Sequence, residues 1–165
     1  MTGIDHVQGG ADAPVTLLEY GDYECPYCGE AYVIIKQLQS ELGPSLRFVF
    51  RNLPLSSVHP HAPHAAEVAE AVGVRGRFWQ IHDLLYENQA DLEDGALVGY
   101  AERVGVNRTE VLRDARSEAV RERIQNDVTG AIQSGANGTP TFFVNGVRYD
   151  GSWQLGPLRE ELSRR

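Results

Sequence analysis

The two cysteines of the chain, Cys25 and Cys28, lie three residues apart, with Pro26 and Tyr27 between them. A cysteine thiolate attacks disulfide sulfur, and a second thiol one helical turn away can displace the mixed disulfide that results. This chemistry is thiol–disulfide exchange, and a CxxC motif beside a βαβ pattern is its usual sequence signal. The spacing therefore predicts a redox-active pair and disfavours two ordinary core residues.

The elements around this pair give each thiol a separate role. The apolar run PVTLLEY (14–20) is typical of a buried strand, and Pro26 is favoured at the first position of a helix. A helix N-terminus carries unpaired N–H groups and the positive end of the dipole, which stabilise a thiolate. We therefore expect Cys25, at the open end of the helix, to be the nucleophile. Cys28 lies on the predicted buried stripe and is expected to be the resolving thiol.

The remaining pattern predicts where the other elements lie. The run LRFVFRNL (46–53) predicts a second strand, which completes a βαβ unit with parallel strands and a right-handed crossover. Residues 62–134 have helical patterns with no β-rich interruption. The tail then predicts a hairpin around an Asn145-Gly146 type I′ turn and a last amphipathic helix over 155–162.

Composition excludes several classes of partner. A chain of 165 residues with 42% hydrophobic content fits one globular domain. The net charge of −8 argues against nucleic acid and anionic membranes as partners. The first 14 residues lack the basic and apolar regions of a signal peptide, and no apolar run has the length of a membrane span. We expect a cytoplasmic protein without membrane insertion, or a periplasmic or exported one if a signal peptide was removed.

A zinc site is the main rival to the redox pair. The segment HPHAPH supplies histidines that complete a Cys₂His₂ set made of Cys25, Cys28, His59 and His64. Structural zinc usually takes its ligands from short turns, whereas Cys28 is predicted to lie on the buried face of a long helix. We therefore predict no metal, and we expect the histidines to belong to a solvated, proline-broken loop.

Pro140 lies in GTPTFF, immediately before a predicted strand. Its missing N–H, with a cis bond to Thr139, would leave a backbone edge exposed beside the sheet. An ordinary turn proline fits the same position equally well. The residues of this segment alone leave both interpretations open.

Together these motifs resemble the DsbA-like branch of the thioredoxin-fold thiol oxidoreductases. The likeness covers nearly the whole chain, through APVTLLEYGDYECPYC, FRNLPL, HPHAPHAAEVAEA, RFWQIHDLLYENQ, YAERVGV and GTPTFFVNGVRYDG. It implies an α/β thioredoxin fold with an inserted all-helical domain. The βαβ half with the CxxC motif would occupy residues 12–55, the helical insertion 56–136, and the ββα half with a cis-proline loop 137–165.

The resemblance also implies roles for particular residues. Thr139 and Pro140 would form the cis-proline loop, which faces the disulfide and pairs with substrate backbone. Glu19 would be the buried carboxylate, six residues before the first cysteine, that relays protons to and from Cys28. Strand alternation alone also allows Glu19 to be an edge residue that points to water. The redox-active disulfide would be the only cofactor.

The active-site dipeptide departs from the DsbA pattern. DsbA has a histidine there, whereas Pro26-Tyr27 is the pair typical of glutaredoxins. The negative charge of Glu24 beside Cys25 is expected to oppose thiolate formation and to make the disulfide less oxidising.

The leading hypothesis is a thiol–disulfide oxidoreductase acting on protein thiols or disulfides, or on a low-molecular-weight thiol. The sequence leaves open the direction of electron flow, the substrate, the electron donor and the oligomeric state. One alternative is a glutathione-linked, glutaredoxin-like reductase. Another is a non-catalytic module that binds zinc or a protein.

Overall fold

The computed structural model describes residues 4–165, which contain five β-strands and seven α-helices. The strands are β1 His6–Gln8, β2 Val15–Gly21, β3 Leu46–Asn52, β4 Thr141–Val144 and β5 Val147–Tyr149. The helices are α1 Pro26–Leu42, α2 Ala62–Gly73, α3 Phe78–Glu87, α4 Asp94–Arg103, α5 Arg108–Ala115, α6 Glu118–Gln133 and α7 Leu155–Ser163. None of these helices is both long and apolar enough to cross a membrane.

The strands form one mixed sheet in the order β1-β3-β2-β4-β5. Strands β2 and β3 are parallel, with Leu17 opposite Phe48, as the predicted βαβ unit requires. Strand β4 runs antiparallel to β2 and places Phe142 opposite Glu19. Glu19 is therefore on a central strand with neighbours on both sides, which removes it from solvent.

Strand β1 is an element that the sequence analysis did not predict. Its three residues pair antiparallel with the outer edge of β3. The His6 ring stacks on Phe78, and its Nε2 contacts the Glu70 carboxylate at 2.9 Å. These tertiary contacts hold a segment whose own sequence has little strand character.

Helix α1 begins where proline and cysteine predict. Cys25 has extended backbone angles at the N-cap, and Pro26 is the first helical residue. The buried stripe of α1 consists of Cys28, Ala31, Ile35 and Leu38, which pack in the main core with the sheet. Since this stripe faces the sheet, the second cysteine is buried between the helix and the strands.

The chain between β3 and β4 contains the five helices α2 to α6, which pack against one another. Helix α2 contacts α3, α4, α5 and α6, and α3 also contacts α1. The first residues after α6 then lead to β4 and its hairpin, where Asn145 and Gly146 have φ of 48° and 82°. Positive φ at both residues is the type I′ geometry that the sequence predicts. The α/β thioredoxin fold with a helical insertion is thereby confirmed.

Candidate active site

The two cysteines meet at the N-terminus of α1 as free thiols. Cys28 is fully buried, and Cys25 is only 3% exposed. The Cys25 Sγ lies 3.5 Å from the Thr139 carbonyl oxygen, to which its thiol form donates a hydrogen bond. The sequence predicts an open position for Cys25, and this expectation is too simple because the loop before β4 lies against the sulfur.

The surroundings of the pair separate the acidities of the two thiols. The hydrogen bond from the Cys28 thiol is the largest cause that lowers the pKa of Cys25 to about 5, against the opposing effect of burial. The Thr139 side chain and the backbone N–H groups of Cys28 and Tyr27 lower it further. Burial raises the pKa of Cys28 well above its usual value, and its hydrogen bond to Cys25 adds to this. At neutral pH the pair is therefore a Cys25 thiolate beside a Cys28 thiol.

Asp22 fixes the turn that carries Cys25. Its side chain is fully buried, and Oδ1 accepts hydrogen bonds from the backbone N–H groups of Glu24 (2.8 Å) and Cys25 (3.2 Å). Its Oδ2 accepts from the Leu55 N–H at 2.8 Å and faces the His59 Nδ1 at 2.9 Å. Asp22 therefore ties the CxxC turn to the chain after β3, and the sequence analysis did not single it out.

His59 is part of this arrangement and does not belong to a solvated loop. Its side chain is 19% exposed and pairs with Asp22. Burial disfavours the charged ring, but the hydrogen bond to Asp22 and the negative charges of Asp22, Cys25 and Glu24 raise the pKa of His59 overall. The raised pKa of His59 favours the charged form of a ring that lies beside Asp22.

The Cys₂His₂ set of the zinc hypothesis is not assembled. The His64 ring faces Glu67 at 3.1 Å and Asp94 at 3.6 Å, whereas His59 faces Asp22. Within residues 4–165, no group of three or more histidine, cysteine, aspartate and glutamate side chains has a placement suited to a metal ion. The ligand geometry thus gives the zinc hypothesis no support.

The Glu24 carboxylate is directed to another helix. Its Oε2 accepts hydrogen bonds from the backbone N–H groups of His61 (2.7 Å) and Ala62 (3.0 Å), at the N-terminus of α2. The positive end of the α2 dipole stabilises the negative charge of a carboxylate at this position. The expected opposition of Glu24 to the Cys25 thiolate is accordingly weakened.

Glu19 faces the core beside the cysteine pair. It is 1% exposed, and burial, followed by the negative charge of Cys25, raises its pKa to about 8. Glu19 in turn contributes to the raised pKa of Cys28. Of the two orientations that the strand pattern allows, the structure has the inward one.

The residues before β4 complete the site. The Thr139-Pro140 bond is cis, and both residues are half-buried beside Cys25. The dipeptide between the cysteines lies at the surface, with Tyr27 61% exposed. The structure therefore brings together Cys25, Cys28, Glu19, Thr139 and Pro140, with an exposed aromatic ring at the rim.

Gln89 is a further contact of the site that the sequence does not reveal. Its Nε2 donates to the backbone carbonyls of Tyr23 (2.8 Å) and Cys25 (2.9 Å). A Cβ atom at Gly29 would lie 2.0 Å from the Gln89 Oε1, so a side chain there would displace the end of the Gln89 side chain. Gln89 is 64 residues from Cys25 in the chain, and no local pattern predicts that contact.

Comparisons of the sequence and of the structure with known proteins both find thioredoxin-like proteins. A family model described as thioredoxin matches residues 1–162. A thioredoxin-like oxidoreductase from Silicibacter pomeroyi DSS-3 is 26% identical with a TM-score of 0.87, covering 99% of this chain and 92% of that one. The thiol-disulfide exchange protein alpha-DsbA2 from Wolbachia pipientis has a TM-score of 0.84 at 20% identity, covering 97% and 86%.

A relative named as an antiporter has a higher sequence identity to this chain than the two solved structures have. The Na⁺/H⁺ antiporter NhaA 1 of Salinispora arenicola (strain CNS-205) is 48% identical over 157 residues, covering 93% of this chain and 24% of that protein. The chain therefore spans about a quarter of the length of this relative. Because the family model matches nearly its whole length, the chain belongs to the thioredoxin family.

Proposed function

We propose that this protein is a thiol–disulfide oxidoreductase that exchanges the Cys25–Cys28 dithiol or disulfide with protein thiols or disulfides. The observation that carries the proposal is the environment of Cys25, whose pKa of about 5 makes it a thiolate at neutral pH. The Thr139-Pro140 loop beside this sulfur adds a backbone segment against which a substrate chain can lie. The neighbouring structures named as a thioredoxin-like oxidoreductase and a thiol-disulfide exchange protein support the same class of chemistry.

The reduction of a substrate disulfide proceeds in two displacements. The Cys25 thiolate attacks one substrate sulfur, so that a Cys25–substrate disulfide forms and the other substrate sulfur leaves as a thiolate. The Cys25 charge is lost in this mixed disulfide, so Glu19 releases its proton to solvent and, as a carboxylate, accepts the proton of Cys28. The Cys28 sulfur then attacks the Cys25 sulfur, which releases the second substrate thiolate. The substrate gains two electrons and the cysteine pair becomes a disulfide. The reverse sequence oxidises a substrate dithiol.

In this scheme Glu19 accepts and returns the proton of Cys28. A carboxyl group with a pKa of about 8 holds its proton near neutrality and releases it with a small change in surroundings. Loss of the Cys25 charge on disulfide formation removes one of the two causes that raise this pKa. The acidity of Glu19 is thus coupled to the redox state of the pair.

The stabilised thiolate favours oxidation of substrates. A low thiol pKa stabilises the dithiol form relative to the disulfide, so that the disulfide becomes a better oxidant. No metal or organic cofactor takes part in the displacements as written. The cytoplasmic location inferred from the sequence stays a prediction, and the glutathione-linked alternative rests on the Pro26-Tyr27 pair alone.

The Cys28→Ser variant tests the proposal directly. This variant keeps the attacking sulfur but cannot complete the second displacement, so a substrate disulfide is expected to stay bound to Cys25. Reduced Cys28→Ser protein mixed with a disulfide-containing protein should give an adduct on a non-reducing gel, and peptide mass spectrometry should place the bond at Cys25. The matched control is the double variant Cys25→Ser/Cys28→Ser, which should give none. Absence of an adduct in the single variant contradicts the proposal.

A further inference from the structure

Two buried carboxylate oxygens have no hydrogen-bond partner among the described residues and belong to side chains that line the same small cavity. They are Oε1 of Glu19 on β2 and Oδ1 of Asp83 on α3. The cavity has a volume of about 10 Å³ and lies between α1, α3 and the sheet. Glu19 is 1% exposed, so its unpaired oxygen is fully inside the protein.

The two oxygens form no hydrogen bond with each other or with any other described residue, so each lacks a partner inside the protein. A water molecule carries two O–H donors and can bond both oxygens at once. A polar cavity needs roughly 10–15 Å³ to hold one water, so this cavity is the size of a single molecule. We propose that one water bridges Glu19 Oε1 and Asp83 Oδ1, and that Asp83 is the positioning residue through which protons pass between Glu19 and solvent.

Asp83 has the contacts that are needed to pass protons from the buried Glu19 to solvent. Its Oδ2 pairs with Lys36 Nζ at 2.7 Å, and the two side chains are 31% and 36% exposed, respectively. The same carboxylate therefore presents one oxygen to the buried cavity and the other to an ion pair at the surface. Glu19 itself has no comparable exposure.

The other titratable groups around Glu19 are poor proton carriers. The His82 Nδ1 is bonded to the Tyr23 hydroxyl at 3.0 Å, and burial lowers the pKa of His82 well below its usual range. Burial raises the pKa of the phenols Tyr23 and Tyr86 well above their usual value. Tyr32 also lines the cavity, and its hydroxyl donates to Glu87. Asp83 is thus the group best placed to exchange protons with Glu19.

This inference rests on the proposed function, in which Cys28 gives a proton to Glu19 each time a disulfide forms. That proton must leave the protein before Glu19 can act again in the same direction. Passage from Glu19 to the bridging water, then to Asp83 and bulk solvent, returns each group to its starting state. The sulfur chemistry itself is unchanged by this path.

The Asp83→Asn variant tests the path by separating the two displacements. Attack by Cys25 on a model disulfide should keep its wild-type rate, because Asp83 takes no part in that displacement. The second displacement by Cys28 should slow about tenfold, which is less than the factor of about 10² to 10⁴ that a general acid–base group contributes, because Asp83 acts only through Glu19. Its solvent deuterium isotope effect should also increase. The matched control Glu30→Gln also removes one carboxylate charge, at an exposed position of α1, and should leave both steps unchanged.

A second displacement in Asp83→Asn within twofold of the wild-type rate, with an unchanged isotope effect, overturns the inference. A high-resolution crystal structure of the wild-type reduced protein tests the water independently of activity. A water within hydrogen-bond distance of both carboxylates is expected, and its absence overturns the inference even if the variant fails to fold. Failure of the proposed function is distinct, since it would appear as a wild-type protein that forms no mixed disulfide at all.

Discussion

Replacement of Cys25 by serine is expected to reduce the rate of insulin reduction, with dithiothreitol as donor, to that of the reaction without protein. Serine does not ionise near neutrality and cannot attack a disulfide sulfur. Cys28 cannot replace Cys25, because it is fully buried and its pKa is raised well above the usual value. Loss of the nucleophile from a catalytic unit costs on the order of 10⁶ in turnover in the best-studied case, so no residual rate is expected.

The comparison with Cys28→Ser gives this experiment its control. That variant removes one sulfur by the same chemical change but retains the thiolate, so it should still react once with insulin and then accumulate as an adduct. If Cys28→Ser reacts with insulin and Cys25→Ser does not, the Cys25 sulfur is the nucleophile. Full insulin-reducing activity of Cys25→Ser would exclude the mechanism.

Substitution of Glu19 by glutamine is expected to change how the stability of the reduced protein depends on pH. In the folded protein Glu19 has a pKa of about 8, compared with an ordinary value of 4.5. The folded state therefore binds this proton more tightly than the unfolded state, so the free energy of unfolding falls as pH rises from 4.5 to about 8. Each pKa step of one corresponds to about 1.4 kcal/mol, which sets an upper bound of about 5 kcal/mol on the loss.

Glutamine does not ionise, so the Glu19→Gln variant does not lose free energy of unfolding in this way as pH rises. Urea unfolding of the reduced proteins should show that Glu19→Gln gains stability relative to wild type between pH 5 and pH 9, by several kcal/mol. The exposed Glu30 offers a matched control, because Glu30→Gln makes the same change in charge at the surface of α1. Parallel pH profiles for Glu19→Gln and wild type would mean that the Glu19 carboxyl is not held protonated by the fold.

The parts of the fold that could be predicted from sequence are those set by local patterns. The CxxC turn with Pro26, the parallel strands around α1 and the Asn145-Gly146 turn all depend on residues close together in the chain. Strand β1 escaped prediction because its pairing with β3 and the stacking of His6 on Phe78 are tertiary contacts. The inward orientation of Glu19 could be inferred only through a family resemblance, since strand alternation allows both faces.

The site was harder to predict than the fold for the same reason. Asp22 and His59 are 37 residues apart in sequence, and Asp83 is 47 residues from its partner Lys36. The sequence also suggested that Glu24 weakens the thiolate, since it shows only that the two residues are adjacent. In the structure Glu24 instead receives hydrogen bonds from the N-terminus of α2. Electrostatics of this kind depends on the direction of a side chain, which sequence spacing does not give.

The most direct test of the account is titration of the Cys25 thiolate in the reduced protein, followed by its ultraviolet absorbance, with Cys25→Ser as the blank. The account predicts a single absorbance step with a midpoint near pH 5. Hydrogen bonds from the Cys28 thiol, the Thr139 side chain and the backbone N–H groups of Cys28 and Tyr27 hold the charge on this sulfur. A step that appears only near pH 9, the ordinary value for a cysteine, would contradict the account.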